Sequence, residues 1–102
     1  MKRLELIANR SVEDEIIGAL EKDIPDFYYT MLPEIRGRGK TKYRLGTTIW
    51  PELNFLLISY LDDESAAKAI AAVRRVKKQF PKEGIKLFIM TAELADTNVQ
   101  LE

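Results

Sequence analysis

The chain is 102 residues long, with 16 Lys and Arg balancing 16 Asp and Glu, and it has neither His nor Cys. That length suits one domain with a real core, and 46% hydrophobic with 31% charged residues is a folded globular composition rather than a disordered one. The missing Cys removes disulfides, thiolate metal sites and thiol nucleophiles, and the missing His removes the commonest metal ligand and general base, so most metal and acid–base enzyme mechanisms are set aside before any motif is read.

Met1-Lys2-Arg3 runs directly into a strand pattern with no apolar leader. The densest apolar run, at 55–61, is far short of the ~20 residues of a spanning helix, so a cytoplasmic protein is expected. Residues 2–8 alternate, with Leu4, Leu6 and Ala8 on one side and Arg3, Glu5 and Ile7 on the other, which predicts a strand. Asn9-Arg10-Ser11 interrupts it. Ser11 reads as the N-cap of a helix, with Glu13, Asp14 and Glu15 in a first turn where the helix dipole favours acids. Val12, Ile16, Ile17 and Leu20 recur at helical spacing up to Lys22, and 23–26 ends the helix. A second strand is predicted over 27–35, and Pro33, which has no amide donor, places it at a sheet edge.

Residues 36–52 read as a long polar loop and 53–61 as the strongest strand. Asp62-Asp63-Glu64 starts a second helix, whose buried stripe is Ala66, Ala69, Ile70, Val73, Val76 and Phe80 and whose C-terminal end carries Lys77 and Lys78. Pro81 and Gly84 stop it, 85–90 is the last strand, and an irregular tail follows from Thr91. The order predicts an α+β, ferredoxin-like βαββαβ fold, a four-stranded antiparallel sheet with two helices on one face. One domain is expected over 1–92 with a tail at 93–102. Leu101 and Glu102 are expected to be a cloning remnant ahead of a purification tag and are given no function.

Two helices cover only one face of such a sheet, so the strands should be apolar on one side alone. They are not. Leu56, Ile58 and Tyr60 oppose Leu53, Phe55 and Leu57 in the third strand, and Phe88 and Met90 oppose Ile85, Leu87 and Ile89 in the last. The second strand likewise sets Tyr28 and Leu32 against Phe27, Tyr29 and Met31. A second apolar face predicts a homo-oligomer in which sheets pack together; the alternative cover, the tail, offers only Leu94, Val99 and a few alanines.

Arg36, Arg38, Lys40, Lys42 and Arg44 occupy every even position from 36 to 44 with no acid among them, and Gly37 and Gly39 permit close backbone approach to an anion. A phosphate-bearing ligand fits that chemistry, although the spacing is not that of a P-loop. Lys82-Glu83-Gly84-Ile85-Lys86 is a second glycine-containing turn with two lysines. Trp50 and Tyr43 are candidate contact residues on the loop. Asp62, Asp63 and Glu64, like Glu13, Asp14 and Glu15, are explained by helix starts, and no residue is expected to be catalytic or to bind metal.

The chain resembles the PII signalling proteins of nitrogen regulation over nearly its whole length. Residues 1–7 are similar to that family's first strand. Ile35-Arg36-Gly37-Arg38-Gly39-Lys40 resembles its Val-Lys-Gly-x-Gly-Arg segment at the base of the T-loop, and Tyr43-Arg44 resembles the Tyr-Arg-Gly of that loop. Pro51, the strand at 53–61 and Asp62-Asp63 resemble its Leu-Pro-Lys segment, next strand and helix start, and Lys86-Leu87-Phe88-Ile89 resembles the Lys-Ile-Phe-Val that closes the B-loop. The resemblance implies a homotrimer that binds an adenine nucleotide, ATP or ADP, between subunits, requires no cofactor, and docks through its long loop on a transporter, enzyme or regulator. It implies that Gly37, Gly39 and Lys40 line the nucleotide, with Arg38 and Lys82 beside them, that Lys86 reaches the phosphates, and that Tyr43, with Arg44 and Trp50, belongs to the partner loop; some members carry a uridylyl group at the position of Tyr43. Gln79 to Ile85 stands where the family has a glycine-rich run, and residues 92–100 contain no basic residue.

The expected function is therefore a trimeric, non-enzymatic signalling protein that binds a small anion and acts through the 36–50 loop. The rival readings are a metal-responsive CutA-like trimer, restricted here to oxygen ligands, and a nucleic-acid-binding module built on the basic loop with Tyr43 and Trp50 stacking. Residues 11–35, with seven acids against one Lys, oppose the second.

Overall fold

The alternation in the first eight residues does become a strand, β1 (Lys2–Asn9), with Leu4, Leu6 and Ala8 buried beneath the helices. The computed structural model describes residues 1–37 and 53–97. After β1 come α1 (Glu13–Asp23), β2 (Thr30–Ile35), β3 (Asn54–Leu61), α2 (Asp63–Gln79) and β4 (Ile85–Thr91). The sheet order is β2-β3-β1-β4 with every neighbouring pair antiparallel, so β2 and β4 are the two edges. This is the ferredoxin-like arrangement the sequence predicts.

The core joins Leu4, Leu6 and Ala8 of β1 and Phe55, Leu57 and Leu61 of β3 to Ile16 and Leu20 of α1 and Ala66, Ala69, Ala72, Val73 and Val76 of α2. Each fully buried large aliphatic or aromatic side chain contributes about 1.5–3 kcal/mol of transfer free energy. Small residues on α2 let it lie close to the sheet. Ile70 and Phe80 of the predicted stripe are only half-buried, and Phe80 packs against the core margin. Ser59 takes a core position in β3, and its hydroxyl is satisfied by donating to the Tyr28 carbonyl at 2.7 Å.

Two local expectations are corrected. Ser11 is not the N-cap: the side chain of Asn9 accepts from the Ser11 amide at 2.8 Å and caps a 3-10 turn, Arg10–Val12, that leads into α1. The chain leaves β1 too abruptly for Ser11 to lie outside the helical turns. The second strand begins at Thr30 rather than at residue 27. Phe27 is buried and stacks on Tyr29 with ring centroids 5.4 Å apart, so the aromatic pattern reports packing before any ladder hydrogen bond forms. Pro33 does lie in an edge strand, and the register with β3 shifts between Leu32 and Ile35, where the missing donor falls.

The second helix is capped as its sequence suggests. Asp62 accepts from the Ser65 amide at 2.7 Å, and that backbone hydrogen bond, with the Ser65 side chain next, holds its carboxyl below the ordinary value of 3.8. At the far end Lys77 donates to the carbonyls of Pro81 and Glu83, at 3.0 and 2.6 Å, and so fixes the turn into β4. Arg75 pairs with Asp23 and ties α2 to the end of α1. Among the described residues, no helix is long and apolar enough to cross a membrane.

Candidate ligand-binding site

The topology brings the described ligand candidates, Gly37, Lys82 and Lys86, to one end of the sheet. β2 ends at Ile35 opposite Asn54, which begins β3; Asn54 pairs with Asn9 at the end of β1, and Ala8 pairs with Ile85 at the start of β4. Gly37, just past β2, and Lys82, in the turn before β4, are therefore at the same end, and both are exposed. Lys86 is also exposed, one residue into β4. Arg38, Gly39, Lys40, Tyr43, Arg44 and Trp50 lie outside the described residues.

The structure does not bring these elements together within one chain. Gly37 continues one edge strand, and Lys82 and Lys86 belong to the other. Three strand spacings separate the edges, roughly 14 Å, so a ligand of only a few atoms does not bridge Gly37's backbone and Lys86's strand on a single sheet. Between them stand Asn9 and Arg10, which the sequence presents only as a strand break. The Asn9 amide donates to the Gly84 carbonyl at 3.0 Å, and the Arg10 amide donates to the Leu53 carbonyl at 2.9 Å. They join the turn of Lys82 to the exit of the long loop. The signal was two polar residues closing an apolar strand, which only the sheet order makes meaningful.

The sheet face away from the helices is built in rows. Lys86, Ile7, Leu56 and Leu32 form one; Phe88, Glu5, Ile58 and Thr30 the next; Met90, Arg3 and Tyr60 the third. Leu32, Tyr60, Phe88 and Met90 each keep 40% or more of their surface exposed. The described part of the tail does not cover them, since Leu94 is itself 81% exposed.

On the opposite face an open groove of about 430 Å³ lies between α2 and β4, lined by Ile70, Val73, Ile85, Leu87 and Ile89 with Arg74 and Lys77. Lys77 is already engaged by two carbonyls. Among the described residues, no three carboxylate, His or Cys side chains come together in a way that could hold a metal ion.

No protein-family model matches the sequence, and no curated protein matches it. Solved structures do match. CPII, a nitrogen regulatory PII-like protein from Thiomonas intermedia bound to ADP, AMP and bicarbonate, aligns with a TM-score of 0.69 at 13% identity, over 95% of this chain and 94% of that one. The apo form of CPII aligns at 0.59 and 11% identity, over 87% of each chain. A protein of Thermus thermophilus assigned to PII-like signalling aligns at 0.59 and 19% identity, over 87% of this chain and 83% of that one. The likeness is one of architecture, and this chain has a divergent PII-like fold.

Proposed function

We propose that this chain is a PII-like, non-enzymatic regulator that assembles as a homotrimer and holds an adenine nucleotide, or another small anion, between copies. The observation that carries the reading is the separation of Gly37 from Lys82 and Lys86. They occupy the same end of the sheet but opposite edges. In a ring of identical copies, one edge of each copy approaches the other edge of the next. The Gly37 side of one chain then faces the Lys82 and Lys86 side of its neighbour, and the exposed apolar rows gain a cover. CPII, bound to ADP, AMP and bicarbonate, supplies the first ligands to try.

The lysines would neutralise phosphate charge while the Gly37 backbone, with Arg38, Gly39 and Lys40, approaches the ligand closely. A ligand that binds one arrangement of the 36–50 loop better than another shifts the population toward it. A target protein, whether transporter, enzyme or regulator, then reads the loop through Tyr43, Arg44 and Trp50. This is cytoplasmic signalling of the nitrogen-regulatory type.

Isothermal titration with ATP, ADP, AMP, cyclic nucleotides and bicarbonate tests the ligand. Saturable heat with at least one adenine nucleotide, weakened by Lys86→Ala, is expected. No heat from any of them at millimolar concentration overturns the reading.

A further inference from the structure

Phe80, Pro81, Lys82 and Glu83 form a turn closed by the Glu83 amide, which donates to the Phe80 carbonyl at 3.1 Å. Lys77, on the last turn of α2, reaches over it. Its ammonium donates to the Pro81 carbonyl at 3.0 Å and to the Glu83 carbonyl at 2.6 Å. The Gly84 carbonyl is taken by the Asn9 amide at 3.0 Å. No described peptide bond is cis, and in a planar trans peptide the N–H points opposite to the C=O. The Pro81 carbonyl shares its peptide unit with the Lys82 amide, and the Glu83 carbonyl shares its unit with the Gly84 amide. Both amides therefore point away from the Lys77 ammonium. Neither has an acceptor among the described residues, and Lys82 and Gly84 are both exposed.

We propose that Lys77 is a positioning residue for anion binding: by holding two carbonyls to itself it leaves the amides of Lys82 and Gly84 free to donate to a phosphate group beside the Lys82 ammonium. The proposal rests on the ligand reading above and adds the residue that orients the turn. A carbonyl oxygen repels an anion, so a turn receives one only where its amides face outward and its carbonyls face elsewhere. The turn has a single glycine, and its φ is not positive, so the orientation comes from Lys77 and not from glycine freedom.

The dipole of α2 favours a cation at this end, but Lys78, which is exposed, serves that purpose equally well. The two carbonyl bonds are what distinguish Lys77, which is half-buried and pairs with no carboxylate among the described residues. A phosphate group that reaches Lys82 meets donors already aimed, so the turn has no reordering to complete before it binds.

The test compares wild type, Lys77→Met and Lys78→Met. The last removes the same charge from the same helix end, but Lys78 makes no hydrogen bond to the turn among the described residues. Titration calorimetry with ATP, ADP and AMP reads affinity. Amide NMR of Lys82 and Gly84 reads the contact, with adenosine as the ligand that lacks phosphate. A thermal melt shows whether each variant folds, and Lys77→Gln stands in for Lys77→Met if the latter does not. In wild type the Lys82 and Gly84 amide signals are expected to move with the phosphorylated ligands and not with adenosine. Lys77→Met is expected to lose roughly tenfold in affinity and most of that movement, and Lys78→Met less than about threefold. A wild type that binds a nucleotide with both amide signals unmoved, or equal affinities in the two variants, overturns this inference and leaves the ligand reading standing. A wild type that binds none of these nucleotides overturns both.

Discussion

The backbone amide of Asn9 donates to the carbonyl of Gly84 at 3.0 Å, which pins the turn ahead of β4 to the end of β1. One residue later the Arg10 amide holds the Leu53 carbonyl, where the long loop returns to the sheet. In the proposed ring these two connections serve different ligand sites, so each chain couples one site to the next through two backbone hydrogen bonds. Saturation with ADP is expected to slow hydrogen exchange at the Asn9 and Arg10 amides. Unchanged exchange there, with ADP bound, would mean that the ligand does not act through β1.

Among the described residues, a Cβ at Gly37 would meet no atom within 4 Å beyond its chain neighbours, and no described glycine has a positive φ. Gly37→Ala should therefore leave the melting temperature of the ligand-free protein unchanged or slightly raised, since it removes only unfolded-state freedom. Nucleotide affinity should fall by roughly an order of magnitude if a ligand approaches that backbone. Calorimetry beside a thermal melt separates the two effects; equal affinity for both proteins would move the ligand away from Gly37.

Asp62 tests the cap of α2 and its pH dependence. Its carboxyl is held below 3.8 by the Ser65 hydrogen bonds, so its stabilising effect is fully present above the unfolded value and is lost as pH falls through the lower folded value. At pH 6 wild type should melt a few degrees above Asp62→Ala. The gap should narrow only below the ordinary Asp range. A gap that is constant from pH 6 to pH 2 would contradict the charged cap.

Phe55 is fully buried between the sheet and the helices. Truncation to Ala should cost about 3–5 kcal/mol. Urea unfolding at one fixed chain concentration measures it, because assembly otherwise adds to apparent stability. A loss below 1 kcal/mol would show that the site collapses around the missing ring.

Much of this fold was legible because periodicity and punctuation agree. Leu4-Leu6-Ala8 and Phe55-Leu57 mark their buried sides, Pro33 marks an edge strand, and Leu56, Ile58, Tyr60, Phe88 and Met90 announce a second apolar face. The residues near Thr30 misled because Phe27 and Tyr29 alternate through packing without ladder bonds. Ser11 misled because Asn9, two residues earlier, is an equally good cap and lies where the chain turns. Gly37, Lys82 and Lys86 were chosen as ligand candidates by chemistry alone, and their placement on opposite edges follows from the strand order, which local sequence does not encode.

The central claim, that the ligand site needs two copies, is tested most directly by complementation. Gly37→Asp should disable one side of every site and Lys86→Glu the other, so neither pure protein should bind ADP. Refolded together, the two variants should form mixed assemblies in which some sites pair an intact Gly37 edge with an intact Lys86 edge, and a fraction of the wild-type ADP binding should return. Mixed assemblies that bind no ADP, alongside a wild type that does, would contradict the account and place the whole site within one chain.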